Sequence, residues 1–359
     1  MAFRLRAALV ALLALTVTAC DSTEPDDLSD VVLYVGNAGN FSDNNGSLTR
    51  YVLETGEATQ DAVPNLGGLV QNLYSVGDEL FVLLNFDDSF SAGRGRVDVV
   101  GGDGRRVRQI DVRTPRGLGG AASGTAYVSN LYDDTVTPVD LTTGAAATPI
   151  PVGTNPESVV EAAGRIYVAN ANFGAGTSIS VIENGAVTET LADVCAGPRT
   201  LLADREQEVW VVCTGTSDFA TGAVTAPGEV VVLDGATGDV EKRFAFEGET
   251  LGSFTFGQDG SITDNGRQVF VVASGAVLRF DTRDNTLAAR IETPGAPIGA
   301  VAYSAAGDRL YVARADADNP YTVDGVVTIH SLTGAEVGRF GAGIAPLALV
   351  FATFERAES

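Results

Sequence analysis

The sequence predicts an all-β chain: a seven-bladed β-propeller of four-stranded antiparallel blades, its ring closed by a C-terminal strand that pairs into the N-terminal blade. Three observations point there. A short apolar core with an aromatic at its second position recurs seven times, as Leu33-Tyr34-Val35, Leu80-Phe81-Val82, Ala126-Tyr127-Val128, Ile166-Tyr167-Val168, Val209-Trp210-Val211, Val269-Phe270-Val271 and Leu310-Tyr311-Val312. Successive aromatics lie 40 to 60 residues apart, a period that belongs to repeat architectures with one blade per unit. The segments between copies break into short strands at turn residues, with 42 Gly to serve those turns and no sustained helical periodicity. Finally, the two ends of the chain complement each other. The first copy begins directly at Leu33-Tyr34 with no inner strand before it, whereas Ala345-Pro346-Leu347-Ala348 near the C-terminus repeats the inner-strand pattern Ala296-Pro297-Ile298-Gly299. Residues 346–351 are therefore expected to complete the first blade and leave no bare inner edge.

Taken in order, residues 1–19 read as a secretion signal: Arg4 and Arg6, a short apolar run, then small residues up to Cys20. The apolar run is shorter than the roughly 20 residues a spanning helix needs. Val17-Thr18-Ala19-Cys20 resembles a bacterial lipobox, which implies lipidation of Cys20. Residues 20–30, acidic and with a Pro, are expected to form a disordered tether. The propeller then occupies residues 31–359.

The fourth copy shows how each blade divides. Residues 156–161 make an inner strand, 165–170 a second, 177–182 a third and 186–191 an outer one. Asn184-Gly185 turns the last two, a hairpin signal because both residues tolerate positive φ. Equivalent turns occur at Thr55-Gly56, Asp103-Gly104, Thr143-Gly144, Thr237-Gly238 and Thr333-Gly334, and Asp284-Asn285 serves in the sixth copy. Pro115, Pro156, Pro198, Pro297 and Pro346 open inner strands, where a missing backbone donor is tolerated.

Tyr127-Val128-Ser129-Asn130 and Tyr167-Val168-Ala169-Asn170, each preceded by a Pro-led strand, resemble the YVTN-type seven-bladed propeller repeats of bacterial surface and periplasmic proteins. The resemblance covers nearly all of the chain after the tether, although the fifth to seventh copies end in Cys213, Ala273 and Arg314 instead of Asn. It implies binding or scaffolding and no particular chemistry.

The formal charge of −23 makes nucleic acid an unsuitable partner. Lys242 is the single Lys. Candidate ligand groups lie where inner strands are entered and second strands are left, which is one face of the ring. Arg116, Glu157 and Arg199 follow their prolines there, and two Arg beside one Glu suit either an anionic or zwitterionic ligand or an ion-pair ring at the channel entrance. Asn130 and Asn170 end their second strands on the same face. The long loops 37–46, 85–95, 214–228 and 315–325 also lie there, and Phe41, Phe86, Tyr132, Phe173, Phe219 and Tyr321 on that face suit either stacking on a ligand or packing onto their own blade. Cys195 and Cys213 stand at one end of one blade in an exported, disulfide-permissive context, so a disulfide is expected, with two buried thiols as the alternative.

Catalytic signals are sparse. His330 is the single His, no nucleophile elbow is present, and no metal or other cofactor is expected. The chain therefore reads as a non-catalytic, lipid-anchored, monomeric cell-envelope propeller that binds a protein or glycan on its long-loop face. The alternatives are a hydrolase or lactonase with a channel-bound cation, for which Glu157, Asn130 and Asn170 are the nearest donors, and a structural surface protein.

Overall fold

The second strand of each blade is apolar at its central positions, with Ser129 of blade 3 the exception, because it is covered on both faces. In the fourth blade, Ile166 and Val168 point into the third blade while Tyr167 and Ala169 point into the fifth. A strand in such a place reads as a continuous apolar run instead of an alternating one. The same division repeats around the ring, so the core consists of seven hydrophobic clusters, one at each seam between neighbouring blades.

A computed structural model of the chain describes residues 31–86, 93–121, 124–254 and 257–354. It is the seven-bladed propeller the repeat predicts, each blade a four-stranded antiparallel sheet. A 3-10 turn at Asn172–Gly174 is the helical element whose every residue is described. The expected signal segment, lipidated Cys20 and tether lie outside the described residues.

Blade 4 matches the sequence reading closely: inner strand Pro156–Ala162, second Arg165–Asn170, third Ser178–Glu183 and outer Ala186–Leu191. The inner strands of the others are Pro346–Thr353 in blade 1, Leu69–Val76 in blade 2, Pro115–Gly119 in blade 3, Pro198–Ala203 in blade 5, Gly260–Ile262 in blade 6 and Ile298–Ser304 in blade 7. Closure occurs as expected: Pro346–Thr353 pairs antiparallel with Val31–Asn37, Val35 opposite Leu349 and Leu33 opposite Phe351. The 214–228 insertion of blade 5 folds into its own two-stranded ribbon, Thr216–Ser217 against Val224–Ala226.

The disulfide is present. Cys195 and Cys213 are bonded with their Cα atoms 6.0 Å apart, tying the approach to the inner strand of blade 5 to the end of its second strand.

Candidate functional site

Six of the seven inner strands slip register as they enter the ring, for example between Pro115 and Leu118, Pro156 and Val159, and Pro198 and Thr200. Such a bulge re-aims the side chains beside it. One position of the repeat lies beside these slips, two before the residue that pairs with the second-strand valine, and blade 6 has the same position without a slip. That position is Gln71, Arg116, Glu157, Arg199 and Gln258 in blades 2 to 6, and Gly299 and Leu347 in blades 7 and 1. The five polar members all line one cavity of about 690 Å³ that follows the inner strands through the ring.

The charges at this mouth are paired. Arg116 Nε donates to Glu157 Oε2 at 2.5 Å and Arg116 NH1 donates to Gln71 Oε1 at 2.7 Å. Both charged side chains are 10% exposed. Arg199 pairs with Asp259, donating from Nε to Oδ2 at 2.6 Å and from NH2 to Oδ1. Asp259 also accepts from the Ser253 amide at 2.8 Å and the Thr200 hydroxyl at 3.1 Å. Burial pushes the Asp259 carboxyl up, but the Arg199 charge and these hydrogen bonds outweigh it and hold the group below the usual carboxylate range. Two guanidinium and two carboxylate groups leave the mouth without net charge. Tyr74, inside the same cavity, has its phenol pushed up to about 12 by burial and accepts from Asn72 at 3.1 Å.

Two aromatics stand on loops tied to the approaches of the strands that carry Arg116 and Glu157. The amide of Tyr132 donates to the hydroxyl of Thr114, one residue before Pro115. The amide of Asn172 donates to the carbonyl of Thr154, two residues before Pro156. Tyr132 and Phe173 thereby meet at 6.1 Å between ring centroids, and Phe173 remains 62% exposed. Asn172 and Phe173 both have positive φ, 43° and 52°, a costly conformation for two successive residues with side chains. Phe41, Phe219 and Tyr321 are exposed as well.

Asn130 and Asn170 take a different place. Both are buried, and their amides donate across the blade to the third strand: Asn130 to the hydroxyls of Thr135 and Thr137 at 2.9 and 2.7 Å, Asn170 to those of Ser178 and Ser180 at 3.1 and 3.0 Å. Asn37 does the same with Ser47 and Thr49. Asn170 Oδ1 also accepts from the Gly153 amide at 3.0 Å, and a Cβ at Gly153 would stand 2.4 Å from the Asn170 carboxamide carbon. In blade 7, Arg314 replaces the Asn and donates to Thr328 and to the carbonyls of Ala296 and Thr293. Sequence reasoning placed the Asn residues on the correct face but missed these hydroxyl partners, whose signal is a Ser/Thr-x-Ser/Thr pattern on the next strand.

Gln71, Gln258 and Asp259 were also missed. Neither the blade 2 nor the blade 6 inner strand opens with Pro, so no local mark shows where it is entered. Among the described residues no three His, Cys, Asp or Glu side chains converge as a metal-binding group. The two mouth carboxylates are each held by a guanidinium, an arrangement that disfavours a channel cation.

No family model and no curated protein sequence matches the chain. Solved structures do. The periplasmic gluconolactonase PpgL of Pseudomonas aeruginosa is similar with a TM-score of 0.68 at 15% identity, over 90% of this chain and 100% of that one. A putative 6-phosphogluconolactonase of Bacteroides fragilis gives 0.66 at 16% identity, over 92% and 100%. The hydrazine synthase of Kuenenia stuttgartiensis gives 0.60 at 17% identity, over 78% and 88%. At such identities the likeness is one of fold.

Proposed function

We propose that the chain is an exported, lipid-anchored propeller that binds a neutral, polyhydroxylated small molecule, a sugar or sugar lactone free or at a glycan end, in the mouth of its central channel. The observation that carries this reading is the ring of register-equivalent Gln71, Arg116, Glu157, Arg199 and Gln258 around one 690 Å³ cavity. Fixed guanidinium and carboxylate pairs with no net charge offer donors beside acceptors, the complement of adjacent hydroxyl groups, whereas a free anion or cation would meet no compensating charge. Tyr132 and Phe173, whose rings meet on loops outside the cavity lining, would supply an apolar face to a ligand that reaches beyond the mouth. The first described residue, Val31, starts its strand at the hairpin face, opposite the mouth.

Lactone hydrolysis is the second reading. It is favoured by the lactonase names of two structural neighbours and by the contrast between the two carboxylates: Asp259 is saturated by four hydrogen bonds, while Glu157 is met by Arg116 at one oxygen. Glu157 would serve as the base for an attacking water, with Arg116 or Gln71 donating to the developing oxyanion.

The test is calorimetric titration of the purified protein with glucose, glucono-δ-lactone and gluconate, repeated on Arg116→Met and Phe173→Ala. Binding of the neutral compounds that both variants weaken is the expected result. Gluconate binding alone, or no binding of any of the three, overturns it. Acid release from the lactone, followed in a pH-stat and abolished by Glu157→Gln, would decide for the second reading.

A further inference from the structure

Two positions of the repeat hold an ion pair across the third strand on the hairpin face. One lies two residues before the second-strand aromatic; the other, on the outer strand, lies beyond the third-strand residue that pairs with that aromatic. In blade 4 these are Arg165 and Glu189, with NH2 to Oε2 at 2.7 Å. Arg165 also meets Glu183 and donates to the Tyr167 hydroxyl, which in turn donates to the Gly235 carbonyl. In blade 2 the charges are exchanged: Glu79 stands at the first position and Arg108 at the second, joined by two hydrogen bonds of 2.7 and 2.6 Å.

Blade 7 has half of this arrangement. Its second strand Arg309–Arg314 supplies Arg309 and Tyr311 in the places of Arg165 and Tyr167. Tyr311 pairs with Ile329 and Ile329 with Gly338, so Gly338 stands where blade 4 has Glu189, and Ser331 follows His330 where Glu183 follows Ile182. Both carboxylates are missing. Among the described residues Arg309 has no ion-pair partner and donates to the carbonyl of Asp308. Tyr311 is 4% exposed, and it faces the same cavity as Arg309. Both side chains line a cavity of about 350 Å³ between blades 7 and 1, walled by Tyr51, Leu53, Ile329 and Val337. Tyr51 is fixed there by stacking on Phe340 at 4.4 Å. Arg339 at the rim is already engaged by Glu336.

We propose that this cavity binds a small organic carboxylate with a flat or branched apolar body, its carboxylate taking the place that Glu189 holds in blade 4. Arg309 grips the carboxylate, Tyr311 donates to it, and Tyr51, Leu53 and Val337 cover the body. The site lies on the face opposite the channel mouth and stands or falls independently of it.

The probe is benzoate, with benzamide as its uncharged counterpart and inorganic phosphate as a plain oxoanion, read by calorimetry and thermal shift on the full chain. Saturable benzoate binding is expected, with benzamide and phosphate inert and affinity at least about tenfold weaker in Arg309→Met. Gly338→Glu restores the missing carboxylate in cis; a Cβ there meets Ile329 no closer than 3.5 Å, so the variant is sterically allowed. It should abolish benzoate binding and leave the melting temperature equal or higher, and it decides the matter if Arg309→Met does not fold. No benzoate binding, binding unchanged in Gly338→Glu, or equal binding of benzamide or phosphate overturns the proposal.

Discussion

Tyr34, near the start of the described chain, lies directly opposite Val350, near its end, in one antiparallel ladder. The strand that carries Val350 buries Leu347, Ala348, Leu349 and Ala352. It also covers the inner edge of the first blade.

Ending the chain at Ile344 should therefore cost far more than fifteen average surface residues. Burial of the Leu and Val side chains alone contributes on the order of 5 kcal/mol. We expect loss of the cooperative melt, or a fall of more than about 10 °C, in thermal denaturation followed by circular dichroism. An unchanged melting temperature would reject closure by this strand.

The Cys195–Cys213 bond closes a loop with a sequence separation of 18. A loop of that size corresponds to about 3 kcal/mol of stabilisation. The double variant Cys195→Ser, Cys213→Ser should lose roughly that amount in chemical denaturation, and reductant should lower the wild type to the level of the variant. Insensitivity of the wild type to reductant would show that the bond contributes nothing.

Asp259 and Arg199 form a buried pair whose halves cannot be removed singly. Asp259→Ala leaves a buried guanidinium and should cost about 3–5 kcal/mol, whereas Arg199→Met combined with Asp259→Leu should recover most of the loss. The Asp259 carboxyl is held below its ordinary range, so its contribution is present above the unfolded value and is lost as the pH falls through the folded one. A double variant as unstable as the single one would refute a pairwise origin.

Glu208 behaves in the opposite sense. Burial, then the neighbouring Glu241 carboxyl, pushes its carboxyl up to about 8, while Asn285 donates to it at 2.8 Å. A group raised on folding stabilises most below its unfolded pKa, and that contribution disappears as the pH rises toward 8. Wild-type protein should thus lose stability between about pH 5 and pH 9, and Glu208→Gln should flatten that part of the profile. Parallel profiles for the two proteins would place the pH sensitivity elsewhere.

Much of this fold is written locally. Seven aromatic-centred strands announce themselves because each is covered on both faces, and the match of residues 345–350 to 296–301 reveals the closure. The candidate site is written less openly. Arg116, Glu157 and Arg199 stand out by following prolines, but Asp259 belongs to a blade whose inner strand is short and unmarked. Its choice as the partner of Arg199 depends on a register that only the assembled ring defines. The reciprocal case is Asn170: its role is local, yet it requires knowing that Ser178 and Ser180 lie opposite. Blade 7 makes the point again, since the solitary Arg309 becomes visible only when Arg165 and Glu189 have been superposed on it through strand pairing.

Because the inner strand of the first blade is Pro346–Thr353, the ladder begun by Val31–Asn37 stays open until more than three hundred further residues have been made. Every blade can form its own hairpins as it appears, but the circle cannot lock before synthesis has nearly finished, and the contacts that lock it are the most distant in the sequence. A chain built this way stays loose while it emerges and gains its final rigidity in one late step.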